Sequence, residues 1–146
     1  MSSPEEHFKE LFDISPNMLV LNINNGCDDI KTEIENVTAS HGRIVYKEFS
    51  EIEQKRFRLT AREYEYVFLC NCFEKIENLD RFIKEVYKSC ENSGQVILIE
   101  KKENNKLQEM IEILDKADFR STNPIEIFPH YDLVMAKKMH MWGNGL

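Results

Sequence analysis

The chain has 146 residues, 42% of them apolar and 31% charged, a balance that predicts one folded domain over 1–146 and sets disorder aside. Its formal charge of −7, from 19 Lys and Arg against 26 Asp and Glu, excludes a general nucleic-acid binder, because neutralised phosphates supply most of that affinity. The longest apolar run, Tyr66 to Cys70, falls far short of the ~20 residues of a membrane-spanning helix. Glu5 and Glu6 do not suit a secretory signal, so a cytoplasmic protein free of membrane is expected.

In chain order, Ser3-Pro4-Glu5-Glu6 carries the start pattern of a helix, a serine cap with proline at the first helical position. That N-terminal helix, within 1–17, brings Phe8, Leu11 and Phe12 toward the first strand. Met18 to Ile23 reads as a buried strand. Asp29 to Ser40 follows with Ile30, Ile34 and Val37 at helical spacing and stops at Gly42. Arg43 to Phe49 is rich in β-branched and aromatic residues, Glu51 to Arg58 suits a short helix, and Tyr64 to Cys70 is again a strand.

The best-patterned helix comes next, with Leu79, Phe82, Ile83, Val86, Tyr87 and Cys90 along one face and a left-handed exit expected at Ser93-Gly94. Gln95 to Glu100, with Val96 to Ile99 continuously apolar, predicts a strand buried on both faces. Leu107, Met110, Ile111, Leu114 and Ala117 mark another amphipathic helix. Ile125 to Phe128 and Tyr131 to Lys137 are expected as antiparallel neighbours around Pro129-His130. Alternating strands and helices predict an α/β fold in three layers, mostly parallel, closed by an antiparallel strand pair.

Few side chains announce chemistry. Cys27, Cys70, Cys72 and Cys90 lack zinc spacing and read as buried, reduced thiols; no metal site is expected. Lys55, Arg56, Arg58 and Arg62 make a solvated basic face, and His7 and His41 fall in surface contexts. His130 suits a hairpin tip. The tail 139–146 ends apolar; its Met139-His140-Met141 lacks a fourth ligand for a soft metal, and Trp142 suits docking on the protein itself or on a partner.

Several stretches together resemble the class I S-adenosylmethionine-dependent methyltransferases. Tyr64-Glu65-Tyr66-Val67-Phe68-Leu69-Cys70-Asn71 is similar to that family's fourth strand, and the helix from Asn78 to Val86 to the one behind it. Cys90-Glu91-Asn92-Ser93-Gly94 stands where the family has a lysine-proline-glycine-glycine turn, and Ala117-Asp118-Phe119 with Tyr131 to Lys138 is similar to its ending.

The resemblance implies a Rossmann-like sheet with S-adenosylmethionine as cofactor. It places Asn22 at the family's acidic position, Asn24 and Gly26 at the first two loop glycines and Asp28 at the third. Asn24 is expected to take the positive φ of the glycine it replaces, and Asp28 to set a carboxylate beside the cofactor's own. Glu48 follows Gly26 at close to the ~20-residue spacing of a ribose-binding acid, and Cys70 joins the cofactor-binding set. The stretch from Glu48 to Tyr64 is too short for a full crossover of at least ~10–12 residues plus its strand. One strand–helix unit, the family's third, is therefore expected to be missing, with Arg58, Leu59 and Thr60 in place of its adenine pocket.

The same resemblance puts Asn71 beside the methyl acceptor and Glu74 as proton acceptor, whereas read alone Asn71 caps the following turn. Glu100 either faces the cleft or pairs at the surface with Lys101 or Lys102. Two functions remain open at this point: a methyltransferase-like protein acting on a small-molecule or protein substrate, and a catalytically inactive domain of that fold serving as a binding or interaction module. Receiver-like and flavodoxin-like folds suit the closing strand pair less well. An exposed edge strand makes a homodimer conceivable.

Overall fold

The computed structural model describes residues 4–12, 18–38, 43–47, 63–73, 76 and 78–139. Its strands are β1 (Leu19–Asn24), β2 (Arg43–Lys47), β3 (Tyr64–Cys70), β4 (Cys90–Lys101), β5 (Arg120–Ile125) and β6 (Tyr131–Lys137). Its α-helices are α1 (Pro4–Glu10), α2 (Asp28–Thr38), α3 (Leu79–Ser89) and α4 (Leu107–Lys116), with a single 3₁₀ turn at Lys102–Asn104. The strands form one sheet in the order β2-β1-β3-β4-β6-β5. β2, β1, β3 and β4 run parallel, and β6 is antiparallel to both β4 and β5.

Residue alternation divides the core in two. Val20, Phe68, Ile97 and Leu133 face a layer holding Phe8 of α1 and Ile30 and Ile34 of α2. Leu21, Val67, Leu98 and Val134 face the opposite layer, with Ile83 of α3 and Leu114 of α4. Covering both faces is what a parallel sheet requires, and it explains why Tyr66 to Cys70 of β3 and Val96 to Ile99 of β4 are apolar without a break. Among the described residues no strand lies beyond β2, as expected for a sheet lacking one strand–helix unit. The expected helix at Glu51 to Arg58, together with Arg58, Leu59, Thr60 and the residues from 140 on, lies outside the described residues.

Two boundaries differ from expectation. The first strand of the closing pair is Arg120–Ile125, not Ile125 to Phe128. It lies at the sheet edge, pairs only with β6 and is largely exposed, so it carries no buried alternation to read. An edge also tolerates Pro124, whose missing N–H costs the ladder nothing there.

The second difference concerns the exit from α3. The helix ends at Ser89, Cys90 is already extended at φ −75° and ψ 141°, and β4 begins at once. Between the pairs Tyr64–Cys90 and Tyr66–Gln95 the register shifts, so β4 bulges. Ser93 takes the positive φ of 69°, and Gly94 serves by its size instead. A Cβ at Gly94 meets Glu91 O at 2.8 Å and Tyr64 O at 3.0 Å, two main-chain atoms that cannot swing away. Gly94→Ala is expected to cost about 1–3 kcal/mol of stability, measured by urea denaturation.

Among the described residues no helix is long and apolar enough to cross a membrane, and no three His, Cys, Asp or Glu side chains converge as metal ligands.

Candidate cofactor site

From β1 the chain crosses to β2 on one side and returns to β3 on the other. Connections that part in this way open a crevice at the carboxyl ends of the strands, the place where α/β sheets take their ligands. The carboxyl ends of β1 and β3 here carry Asn24 and Cys70, which are register partners.

The loop leaving β1 is shaped by Asn24 and Gly26. Asn24 Oδ1 accepts the Cys27 N–H at 2.8 Å, and Asn24 Nδ2 donates to Cys27 O at 3.1 Å. Gly26 turns the chain at φ 80°. The left-handed residue is therefore Gly26 and not Asn24, which stays in the strand ladder and braces the turn with its side chain. Among the described residues, nothing lies within 4 Å of the position a Gly26 Cβ takes. A turn with positive φ, open space and main chain facing it lets a ligand approach the backbone closely.

α2 starts directly behind this turn, with Asp28 and Asp29 in its first turn. Carboxylates there complement the helix dipole by about 0.3–1 kcal/mol each. Asp28 is exposed, and Asp29 Oδ1 accepts a hydrogen bond from the Tyr131 hydroxyl at 3.0 Å. Burial, then the bond to Asp29, pushes the Tyr131 hydroxyl above its ordinary value, so it keeps its proton and donates.

Asparagines stitch the loops across the crevice floor. Asn25 Nδ2 donates to Asn71 O and Asn71 Nδ2 to Asn25 O, both at 3.0 Å. Asn71 Oδ1 accepts from Asn104 Nδ2 at 3.3 Å, which ties in the loop after β4. Asn71 itself sits at φ 59°, in the left-handed region that asparagine tolerates. Its side chain thus reaches back to Asn25 and across to Asn104. Asn71→Ala loses these bonds and keeps the strained backbone, and is expected to cost about 1–2 kcal/mol, read from a thermal melt.

Of the other residues expected at the site, Cys70 is fully buried, in the same packed cluster as Cys27. Asn22 is 0% exposed on the face shared with Val20, and neither atom of its amide has a partner. Glu48 and Glu74 lie outside the described residues.

Glu100 is placed differently from a surface ion pair. It is 3% exposed, and Oε2 accepts the Phe73 N–H at 3.2 Å. Together with Leu69, Cys72 and Leu98 it borders an apolar cavity of about 10 Å³, the room of roughly one water. Burial and then the Glu100 charge raise the Cys72 thiol. A polar residue closing an apolar strand was the available signal for an inward carboxylate. A wider groove of about 330 Å³ runs along Lys101, Lys102, His130 and Tyr131, where Lys102 N–H donates to His130 O at 3.0 Å.

No family model matches this chain, and no curated protein matches it in sequence. Solved structures do match. A SAM-dependent methyltransferase from Aquifex aeolicus superposes with a TM-score of 0.74 at 15% identity, over 93% of this chain and 89% of that one. The chain has the class I methyltransferase-like fold. Phosphoethanolamine N-methyltransferase 2 of Haemonchus contortus, in complex with S-adenosyl-L-methionine, gives 0.69 at 12% identity over 94% of this chain and 52% of that one. Against that structure and several others this chain spans about half the length. An S-adenosylmethionine-dependent methyltransferase from Mesorhizobium loti gives 0.58 at 8% identity, with 93% and 98% covered. Within the methyltransferase-like fold, the Gly26 turn is the loop after the first strand and Asn71 the residue leaving the strand beside it.

Proposed function

We propose that this protein is an S-adenosylmethionine-dependent methyltransferase-like protein whose cofactor loop is the turn from Asn24 to Asp28. The observation that carries this reading is Gly26, held at φ 80° over open space at the switch point of the sheet. The residues present fit such a ligand: Gly26 offers backbone without a side chain in the way, and Asn24 holds the turn. Glu48 is the acceptor proposed for the ribose hydroxyls, since a charged acceptor makes the stronger bond. The positive charge of Lys101 acts on the loop at Cys27.

When bound, S-adenosylmethionine supplies a methyl group on a good leaving group, so alignment outweighs acid–base help. Asn71, fixed by Asn25 and Asn104, braces the floor under the acceptor, and Glu74 is the residue proposed to take the acceptor's proton.

Calorimetry with S-adenosylmethionine and S-adenosylhomocysteine tests the reading. At a hundredfold excess over Kd a ligand stabilises the fold by about 2.7 kcal/mol, or about 5–10 °C in Tm for this size. Gly26→Asn, which tolerates the positive φ yet fills the open space, is expected to abolish that shift while leaving the unliganded Tm nearly unchanged. No heat from the native chain at millimolar ligand rejects the reading and leaves the fold as an interaction module.

A further inference from the structure

Two thiols lie beneath the candidate site. Cys27 closes the Gly26 loop, and Cys70 ends β3 as the register partner of Asn24. They belong to one packed cluster, 1% and 0% exposed. The main chains are already fastened here, with Asn25 N–H donating to Cys70 O at 3.0 Å. Cys72 points to the other side of the sheet, where its thiol donates to Cys70 O at 3.3 Å, and Cys90 lies at the far end of α3. Cys27 and Cys70 are thus the two cysteines buried together on the face beneath the loop.

The environment makes the two unequal. The neighbouring Cys70 thiol and then the charge of Lys101 outweigh burial and Asp29 and hold Cys27 below the ordinary thiol value. Burial drives Cys70 far above it. The two sulfurs therefore differ in how readily they ionise, Cys27 the more readily. Access is short: Gly26 and Asp28, on either side of Cys27, are exposed, and the space over Gly26 is open.

We propose that Cys27 and Cys70 form a reversible disulfide with a peroxide as oxidant, pinning the Gly26 turn to the end of β3 and weakening the cofactor's hold. The second half of this statement rests on the function proposed above; the first does not. The Cys27 sulfur attacks one peroxide oxygen, the O–O bond breaks, and Cys27 sulfenic acid and one water result. The Cys70 sulfur then displaces the hydroxyl of that sulfenic acid, which leaves as the second water with the Cys70 proton. Two thiols and one hydrogen peroxide become one disulfide and two waters. A dithiol reverses the bond by exchange.

The test is intact-mass spectrometry and non-reducing peptide mapping of the full chain after stoichiometric hydrogen peroxide. Expected are the loss of two hydrogens, a Cys27–Cys70 linked peptide, and recovery with dithiothreitol. Cys72→Ser and Cys90→Ser retain the bond, whereas Cys27→Ser and Cys70→Ser lose it. A bridge through Cys72 or Cys90, or oxygen addition without a bridge, overturns the site, and mapping the native chain decides this even where a serine variant fails to fold. S-adenosylhomocysteine titration of reduced and oxidised protein then reads the coupling, with affinity expected to fall about tenfold on oxidation. Equal affinity in both forms overturns the coupling. Absence of binding in the reduced protein overturns the proposed function and leaves the disulfide standing.

Discussion

Replacing Phe68 by alanine lowers the free energy of unfolding by about 3–5 kcal/mol, the range for a large aromatic removed from a close-packed core. Phe68 sits in the middle of β3, flanked by β1 and β4, and is fully buried. Its ring centroid lies 5.3 Å from that of Phe12 and 6.1 Å from that of Phe8, and Phe8 meets Phe128 at 5.3 Å. This cluster is what attaches α1 to the sheet. A helix of 7 residues has no stability of its own, because nucleation costs more than so few bonds return. The alanine variant therefore loses α1 before it loses the sheet. Urea denaturation reads the global cost, and hydrogen exchange reads α1 amides opening ahead of those in β3. Full protection of α1 in the variant contradicts this account.

What can be read in the chain follows from burial. β3 is expected at Tyr64 to Cys70 and is found there, because a strand covered on both faces is apolar at nearly every step, here at all but Glu65. The edge strand β5 escapes for the opposite reason: exposed along most of its length, it has no pattern to impose. At the site, Gly26 is legible from residue type, since glycine in that loop answers a backbone need. The roles of the asparagines are not. Asn25, Asn71 and Asn104 meet through hydrogen bonds spanning 46 and 33 positions, and no local window of sequence contains both partners. By residue type Asn24 suits the chirality that its neighbour Gly26 in fact supplies, and Glu100 turns inward to an N–H offered by the loop after β3. The thiol pair is likewise a product of strand pairing: Cys27 and Cys70 lie on separate elements, and only the parallel register of β1 with β3 brings them together.

Replacing Asn22 by leucine raises the free energy of unfolding by about 1–3 kcal/mol, the usual cost of a buried polar group that finds no partner. Asn22 is completely buried between β2 and β3, and both atoms of its amide lack hydrogen bonds. Leucine has the same branched arrangement of four side-chain heavy atoms and suits a face shared with Val20 and Phe68. At about 2–4 °C per kcal/mol for a chain of this size, a thermal melt resolves the gain. Asn22→Asp moves the other way, by several kcal/mol, since a carboxylate buried in that setting is stripped of the water that offsets its charge. A buried amide without partners, on the same strand as the Asn24 that opens the Gly26 loop, is a standing loss that a functional site accounts for. The leucine variant is accordingly expected to bind S-adenosylhomocysteine more weakly while melting higher. A higher melting point with unchanged affinity removes Asn22 from the cofactor-binding set, and a lower melting point refutes the unpartnered amide itself.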